Sequence, residues 1–273
     1  MIAHRPGAPV AALTLALAFA VLGSVAARPA AAQLPGWTVI DSTTFEIYQD
    51  DRQVGDEQYR AYRSNDTLII GSSLRMPGLP EGSLLPSLKT TTFLRRADNS
   101  WPLVFQVQEA GRDTTKTRSI NCSFSDTTVM VFHEVDGVGS GTAVALPPGR
   151  LYLLEPGIYA QVQTLVGDFA LSTQNKRKQP VLIPSAKAVV DVHLTRGPKE
   201  RLGQERFVVQ TTRIDLTDGL VQLSAWVDGQ GRMWKMEAPG QGLRVERAVP
   251  ANLPAAATGK KKPPATKKGA TKG

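Results

Sequence analysis

The chain has 273 residues, of which 41% are hydrophobic and 21% are charged, and this composition excludes a wholly disordered protein. A single cysteine, Cys122, excludes an internal disulfide framework and a zinc site built from several thiolates. The net charge of +8 comes from the ends, with two Arg and no acid in residues 1–32 and six Lys and no acid in residues 252–273. The neutral central body lacks the electrostatic surface expected of a specific nucleic-acid-binding domain.

Residues 1–32 have the pattern of an export signal. His4 and Arg5 precede an uncharged run over 10–27, and Ala30-Ala31-Ala32 follows it. Signal peptidase reads small residues in this A-x-A arrangement, so we expect cleavage before Gln33. The alternative is a retained anchor, because 18 apolar residues are borderline for a spanning helix. No later segment is as apolar, so we expect an exported mature chain, periplasmic or secreted, without a transmembrane span.

Residues 33–249 are predicted to form one mainly β domain. Alternating apolar and polar residues, separated by short turns rich in Asp, Asn, Ser and Gly, are typical of antiparallel strands. The Pro/Gly-rich stretch 77–87 is too broken for a regular element and could instead divide two subdomains. The predicted strands of the first half cover 43–49, 54–63, 67–76, 88–96, 103–109, 113–124 and 127–135.

The glycine-rich stretch 137–141 is predicted to be a flexible hairpin loop. It lacks the third glycine of a dinucleotide-binding loop, and no helix can open at Pro147-Pro148 to hold a phosphate. Ser140 lacks the glycines two positions away that a nucleophile elbow needs. A hydrolase using Ser140 would also need His133 or His193 beside it, and it stays open as one alternative.

One segment has the period of a helix. Pro156 suits a first helical turn, and three basic residues at 176–178 lie just beyond the expected end, where cations meet the negative pole of the helix. The apolar residues that define the face are Ile158, Val162, Leu165, Val166 and Phe169. The spacing of these residues predicts one amphipathic helix.

Strands are predicted to resume after the helix and to continue to residue 247. Asp191 and His193 fall on one face of a strand, where they could bind and release a proton, but they are too few for a metal site. A solvated strand face is the favoured explanation, because alternation alone creates such pairs. Asp228-Gly229-Gln230-Gly231 is a strong hairpin signal. The predicted strands cover 181–183, 188–195, 206–216, 220–228, 232–237 and 243–247.

So many strands with one helix predict a large curved antiparallel sheet or incomplete barrel, with the helix on its concave face or capping one end. Such an arrangement encloses an apolar cleft, and aromatic residues at its mouth would contact a hydrophobic ligand. The candidate ligand-binding residues are Tyr159, Phe169, Trp226 and Trp234. Ordinary core packing is the alternative explanation of these four residues. The sequence predicts no cofactor and no metal site.

Residues 250–273 are low in complexity and rich in Lys, Ala and Pro, so we expect a disordered tail. The tail could make weak, unselective contacts with an anionic surface such as lipid headgroups, or serve only solubility. The lysines that would make these contacts are Lys260, Lys261, Lys262, Lys267 and Lys268.

The C-terminal pattern resembles a family of proteins. The stretch 223–237 has a strand, a W-x-D turn and a return strand, 242–247 ends the pattern, and 45–48 with 54–57 looks like an opening hairpin. These stretches are similar to bacterial exported β-rich proteins of unknown function, whose curved sheets resemble periplasmic lipoprotein-carrier half-barrels. The resemblance implies a fold and an exported location, and it brings no catalytic residue.

The sequence favours a non-catalytic, exported cell-envelope protein that binds a hydrophobic or amphipathic ligand between sheet and helix. The first alternative is a structural or interaction protein that pairs through an exposed strand edge. The second is a hydrolase that uses Ser140 or the Asp191/His193 pair.

Overall fold

The computed structural model describes residues 36–78, 88–96, 101–110, 117–204, 207–219 and 222–249. The predicted signal peptide 1–32, the tail 250–273 and most of the Pro/Gly stretch therefore lie outside the described residues. Within the described ranges, fifteen strands form one sheet, with one α-helix, α1, over Tyr159–Ala170 and a 3-10 turn over Pro239–Gln241. The strands are β1 (Thr38–Gln49), β2 (Arg52–Arg63), β3 (Thr67–Arg75), β4 (Leu88–Arg96), β5 (Pro102–Ala110), β6 (Thr117–Phe124), β7 (Thr128–Val135), β8 (Val138–Ala145), β9 (Tyr152–Leu153), β10 (Lys176–Ile183), β11 (Ala188–Gln204), β12 (Phe207–Thr217), β13 (Gln222–Asp228), β14 (Met233–Ala238) and β15 (Leu243–Arg247).

The sheet is an open meander in which nearly every strand lies beside its neighbour in sequence. Its order runs from β8 down to β1, then from β15 down to β9, so the first and last strands meet in the middle. The pairing is antiparallel except for the short parallel contact of β9 with β10. The two edges are β8 and β9, which are consecutive in sequence and do not pair with each other. The predicted large antiparallel sheet with one helix is confirmed.

The sheet curves around α1. The helix contacts β2 in one half and β9 and β12–β14 in the other, and its Asp168 reaches Arg95 on β4. His133 on β7 hydrogen-bonds through Nε2 to the carbonyl of Pro184, which follows β10, at 3.0 Å. This contact joins regions near the two ends of the sheet order. Register shifts within four strand pairs add local bends of the kind that curvature requires.

The helix is buried on all sides. The predicted apolar face is confirmed, since Ile158, Leu165 and Phe169 are fully buried. The polar residues of α1 at positions 161, 163 and 164 are buried as well. Gln163 donates to the Gly231 carbonyl at 2.7 Å and accepts from the Met233 N–H at 2.5 Å, so it ties α1 to the β13–β14 hairpin. Among the described residues, no helix has the length and apolarity needed to span a bilayer.

Two local predictions were wrong. The stretch expected to be a loop at 137–141 enters an edge strand, β8, because the ring of Phe132 on β7 packs over Gly141 and supplies the contact that a glycine lacks. The basic residues 176–178, predicted to provide the cations at the negative pole of α1, begin β10 and pair with 193–195 of β11, and of the three Arg177 lies over the Phe169 ring near the helix end. The cation at the negative pole of α1 is instead Arg196 of β11, which donates to the carbonyls of residues 169, 170 and 172.

The predicted hairpin at 228–231 is held by the side chain of Asp228. Its Oδ1 accepts from the N–H groups of Gln230 and Arg232, and its Oδ2 accepts from Trp234 Nε1 at 2.9 Å. Although burial raises the pKa of Asp228, these hydrogen bonds and the Arg232 guanidinium lower it below the ordinary value. The W-x-D turn is therefore a structural motif in this chain.

Candidate functional site

The four predicted ligand-binding aromatics do not line one surface. Tyr159 and Phe169 lie at opposite ends of α1 and face the interior. Trp226 lies between Ala225 and Val227, which face the core, so its ring is on the outer side of the sheet. There Trp226 donates to Glu200 at 2.7 Å and lies 5.0 Å below the Lys235 ammonium.

Trp234 occupies a third position, at the β13–β14 hairpin. Its ring packs against Phe207 with the centroids 4.8 Å apart, and the guanidinium groups of Arg232 and Arg247 lie over it. The structure therefore brings only Tyr159 and Phe169 into the interior between sheet and helix.

The residues considered for hydrolysis fall in two places. Ser140 on β8 pairs directly with His133 on β7, and Ser140 is exposed. Asp191 and His193 lie on the exposed face of β11, where Asp191 makes an ion pair with Lys178 at 2.9 Å. Within the described ranges, neither imidazole donates a hydrogen bond to a carboxylate, so these ranges contain no Ser-His-acid arrangement.

A buried group of polar side chains surrounds the N-terminus of α1. We call it the acidic cluster and define it by Glu57, Lys89, Glu109, Glu155 and Gln161. Lys89 makes ion pairs with Glu109 at 2.7 Å and with Glu155 at 3.5 Å. Three carboxyl groups therefore lie near one buried ammonium, and the exposed Arg118 also approaches Glu109 at 3.9 Å.

Glu57 of β2 takes the role of a helix cap. Its Oε2 accepts from the N–H groups of Tyr159 and Ala160 at 2.8 and 3.1 Å, while α1 has no side-chain cap of its own. Glu57 is fully buried, and its Oε1 has no hydrogen-bond partner in the described part of the chain. The Nε2 of Gln161 is likewise buried without a partner.

Burial dominates the electrostatics of Glu57. Desolvation raises the pKa of its carboxyl group from 4.5 to about 7. The Ser72 hydroxyl, the two helix N–H groups and the Lys89 charge lower the pKa by less than burial raises it. Near neutral pH, Glu57 therefore exchanges between a neutral acid and a carboxylate at the positive pole of the helix.

The opposite end of α1 is basic. We call the three residues Arg95, Arg150 and Arg177 the arginine cluster, and they surround Tyr152 and Asp168. Asp168 accepts from Arg95 Nη1 at 3.1 Å and from the Tyr152 hydroxyl at 2.8 Å. Arg150 Nη1 lies 3.5 Å from the Tyr152 oxygen, and Arg177 lies over the Tyr152 ring at 5.9 Å. Three guanidinium groups thus lie in the neighbourhood of one carboxylate, and within the described ranges Arg95 is the one that contacts it directly.

The arginine cluster has donors that nothing in the described ranges satisfies. Buried nitrogens without a partner are Nε of Arg95 and both Nε and Nη2 of Arg177. Arg177 also lies 5.2 Å from the Phe169 ring centroid, so one predicted ligand-binding residue adjoins this cluster. Burial and the charge and hydrogen bond of Asp168 raise the pKa of Tyr152 to about 12, which keeps the phenol neutral as a donor.

Sequence reasoning missed both clusters. The only available signals were the alternation of Lys89, Thr91, Phe93 and Arg95 on one face of β4, and Glu57 on the face of β2 that also carries Tyr59. Phe93 and Tyr59 could have identified these faces as inward. Nothing in the spacing shows that α1 would lie opposite them.

The comparisons with known proteins assign no activity. No family model matches this chain, and no curated protein matches it with significant sequence similarity. The chain is similar to a solved beta-barrel-like protein of the domain of unknown function DUF1849 from Brucella abortus, at 12% identity and a TM-score of 0.39. The match covers 77% of this chain and 98% of that chain.

Proposed function

We propose that this chain is an exported, non-catalytic protein of the cell envelope that binds a hydrophobic or amphipathic ligand between its sheet and α1. The observation that carries the proposal is one helix enclosed by a sheet whose edge strands, β8 and β9, do not pair. The export part rests on the sequence of residues 1–32.

The surface that such a ligand would contact is apolar and comes from both halves of the sheet. The first half contributes Phe45, Phe93 and Phe105, and the second contributes Ile214 and Met236. The apolar residues of α1 belong to the same core as these five residues. A ligand of comparable apolar area would replace the helix contacts as α1 moves outward.

Polar contacts add to the apolar packing that holds α1, among them those of Glu57 at its start, Gln163 in its middle and Arg196 at its end. Because a net hydrogen bond stabilises folded proteins by only about 1 kcal/mol, single substitutions can weaken these polar contacts while the apolar packing of α1 remains.

The test combines native mass spectrometry with uptake of an apolar fluorescent probe. We expect the chain purified from an exporting host to carry a co-purifying mass that extracts into organic solvent. Replacing Gln163 by Ala removes two hydrogen bonds between α1 and the hairpin, so probe uptake should increase about tenfold or more. The exposed Gln58 on β2, replaced by Ala, is the matched control. A bare mass together with equal uptake by the two variants would contradict the proposal.

A second candidate function is strand pairing through β8. This edge strand carries no charged residue and is largely exposed, with Val138 at 79% exposure. Uncharged, exposed edges are templates for another strand, and a second copy of this chain would present no like charges to oppose pairing. Light scattering should then give a dimer mass that falls to the monomer mass in Ala143→Lys. A monomeric wild-type chain would exclude this self-pairing.

A further inference from the structure

We infer that the arginine cluster binds an oxyanion, a phosphate or carboxylate group, on the free edge of Arg177. This inference deepens the proposed function, because the oxyanion would be the polar end of the amphipathic ligand. It rests on the three unpaired guanidinium nitrogens of Arg95 and Arg177 and on the charge around them.

The direction of the Arg177 donors indicates the chemical class of the ligand. Nε–H and the adjacent Nη–H of a guanidinium point the same way and form the fork that binds two oxygens of one oxyanion. Both donors of this edge, Nε and Nη2, are buried and unpaired, while the guanidinium plane packs near the rings of Tyr152 and Phe169. The rings therefore support the group, while its two buried donors have no acceptor within the described ranges.

The charge in this region favours the binding of an anion. Arg95, Arg150 and Arg177 carry three positive charges, and Asp168 is the one carboxylate that contacts the cluster within the described ranges. Arg95 has only 7% of its surface exposed, so water compensates little of its charge. Unpaired buried donors are costly, and an oxyanion supplies several acceptor lone pairs at once.

One end of the cluster lies at the surface, and an oxyanion arriving there would displace the side chains that bury the Arg177 nitrogens. Arg150 is exposed and Asp168 is only partly buried, whereas Arg95 lies inside. The cluster therefore extends from the surface to the interior beside Phe169, the last aromatic of α1. An amphipathic molecule with its headgroup at Arg150 and Arg177 would direct its chain toward the apolar face of the sheet.

The experiment is calorimetric titration of the full chain, purified from an exporting host, at fixed ionic strength. The probes are dihexanoyl phosphatidic acid, dihexanoyl phosphatidylcholine and inorganic phosphate. Arg177→Gln removes the two free donors and Arg150→Gln removes the exposed charge. We expect each substitution to weaken phosphatidic acid binding about tenfold or more. The exposed Arg60 on β2, replaced by Gln, is the matched control and should bind as the wild type does.

The outcomes separate the inference from the proposed function. Arg177-dependent binding of phosphatidic acid, tighter than that of phosphate or phosphatidylcholine, supports a lipid headgroup as the anion. Arg177-dependent binding of inorganic phosphate without lipid binding supports the oxyanion site and argues against the carrier function. If no probe binds at millimolar concentration, or if both arginine variants bind like the wild type, the inference is overturned. Uptake of the apolar probe by the same preparation would then leave the carrier function standing.

Discussion

The buried carboxyl group of Glu57 should make the stability of this protein decrease as pH rises. The pKa of Glu57 is about 7 in the folded chain, against an ordinary value of 4.5. Between these two values the folded chain holds a proton that the unfolded chain has released, so the free energy of unfolding falls through this window. Below pH 4.5 both states are protonated, and above pH 7 the full loss is present.

The magnitude follows from the two pKa values. At about 1.4 kcal/mol for each pH unit between them, the ionisation of Glu57 costs about 3 kcal/mol of stability above neutral pH. Glu57 is fully buried, so solvent screens this cost little. The substitution Glu57→Gln keeps the shape of the neutral acid and an oxygen that can accept from the helix N–H groups, but it cannot ionise.

Urea unfolding at about pH 5 and about pH 8 measures the effect. We expect the stability of Glu57→Gln relative to wild type to increase by about 2–3 kcal/mol between these pH values. The exposed Glu134 on β7, replaced by Gln, is the control and should show no such change. If the difference between wild type and Glu57→Gln stays constant within about 0.5 kcal/mol, Glu57 titrates as an ordinary acid and the reasoning is refuted.

Three further predictions concern buried residues. Gly167→Ala should lower the thermal midpoint, because the new methyl group would collide with the Gly231 carbonyl; a helix in solvent would instead gain stability from this change. Arg247→Met leaves the carboxylate of Asp41 without the guanidinium that contacts both its oxygens, and urea unfolding should show a loss of about 3 kcal/mol. Burial raises the pKa of Cys122 to about 12, so a disulfide reagent at about pH 8 should modify it only after unfolding.

The alternation of apolar and polar residues made most of the strands predictable. The clearest wrong prediction was the loop at 137–141, where glycines interrupt the alternation. Predicted strands such as 54–63, 67–76 and 88–96 match the observed strands within two residues. The sequence of β8, by contrast, contains glycines at positions 139 and 141 that leave no alternation to detect. Its place in the sheet depends on a contact from the neighbouring strand, Phe132 over Gly141, which no local pattern encodes.

The candidate site was less predictable because its polar residues break the usual rule of burial. Lys89 and Arg95 alternate on the inward face of β4, where a reader of the sequence expects apolar residues. Their partners, Glu155 and Asp168, lie more than 60 residues further along the chain. Pairing over such a distance follows from the curvature of the whole sheet, so the site became visible only with the fold.

The two polar ends of the interior explain how a short helix persists inside the sheet. Alone in water, a helix of 12 residues without caps is marginal. Here the sheet supplies Glu57 at the positive pole and Arg196 at the negative pole, which is the arrangement that the helix dipole favours. A helix stabilised from outside should lose order when it leaves the sheet. Ligand entry and helix unfolding are therefore expected to be coupled, and an oxyanion at Arg177 would act close to the end of α1 that Arg196 holds.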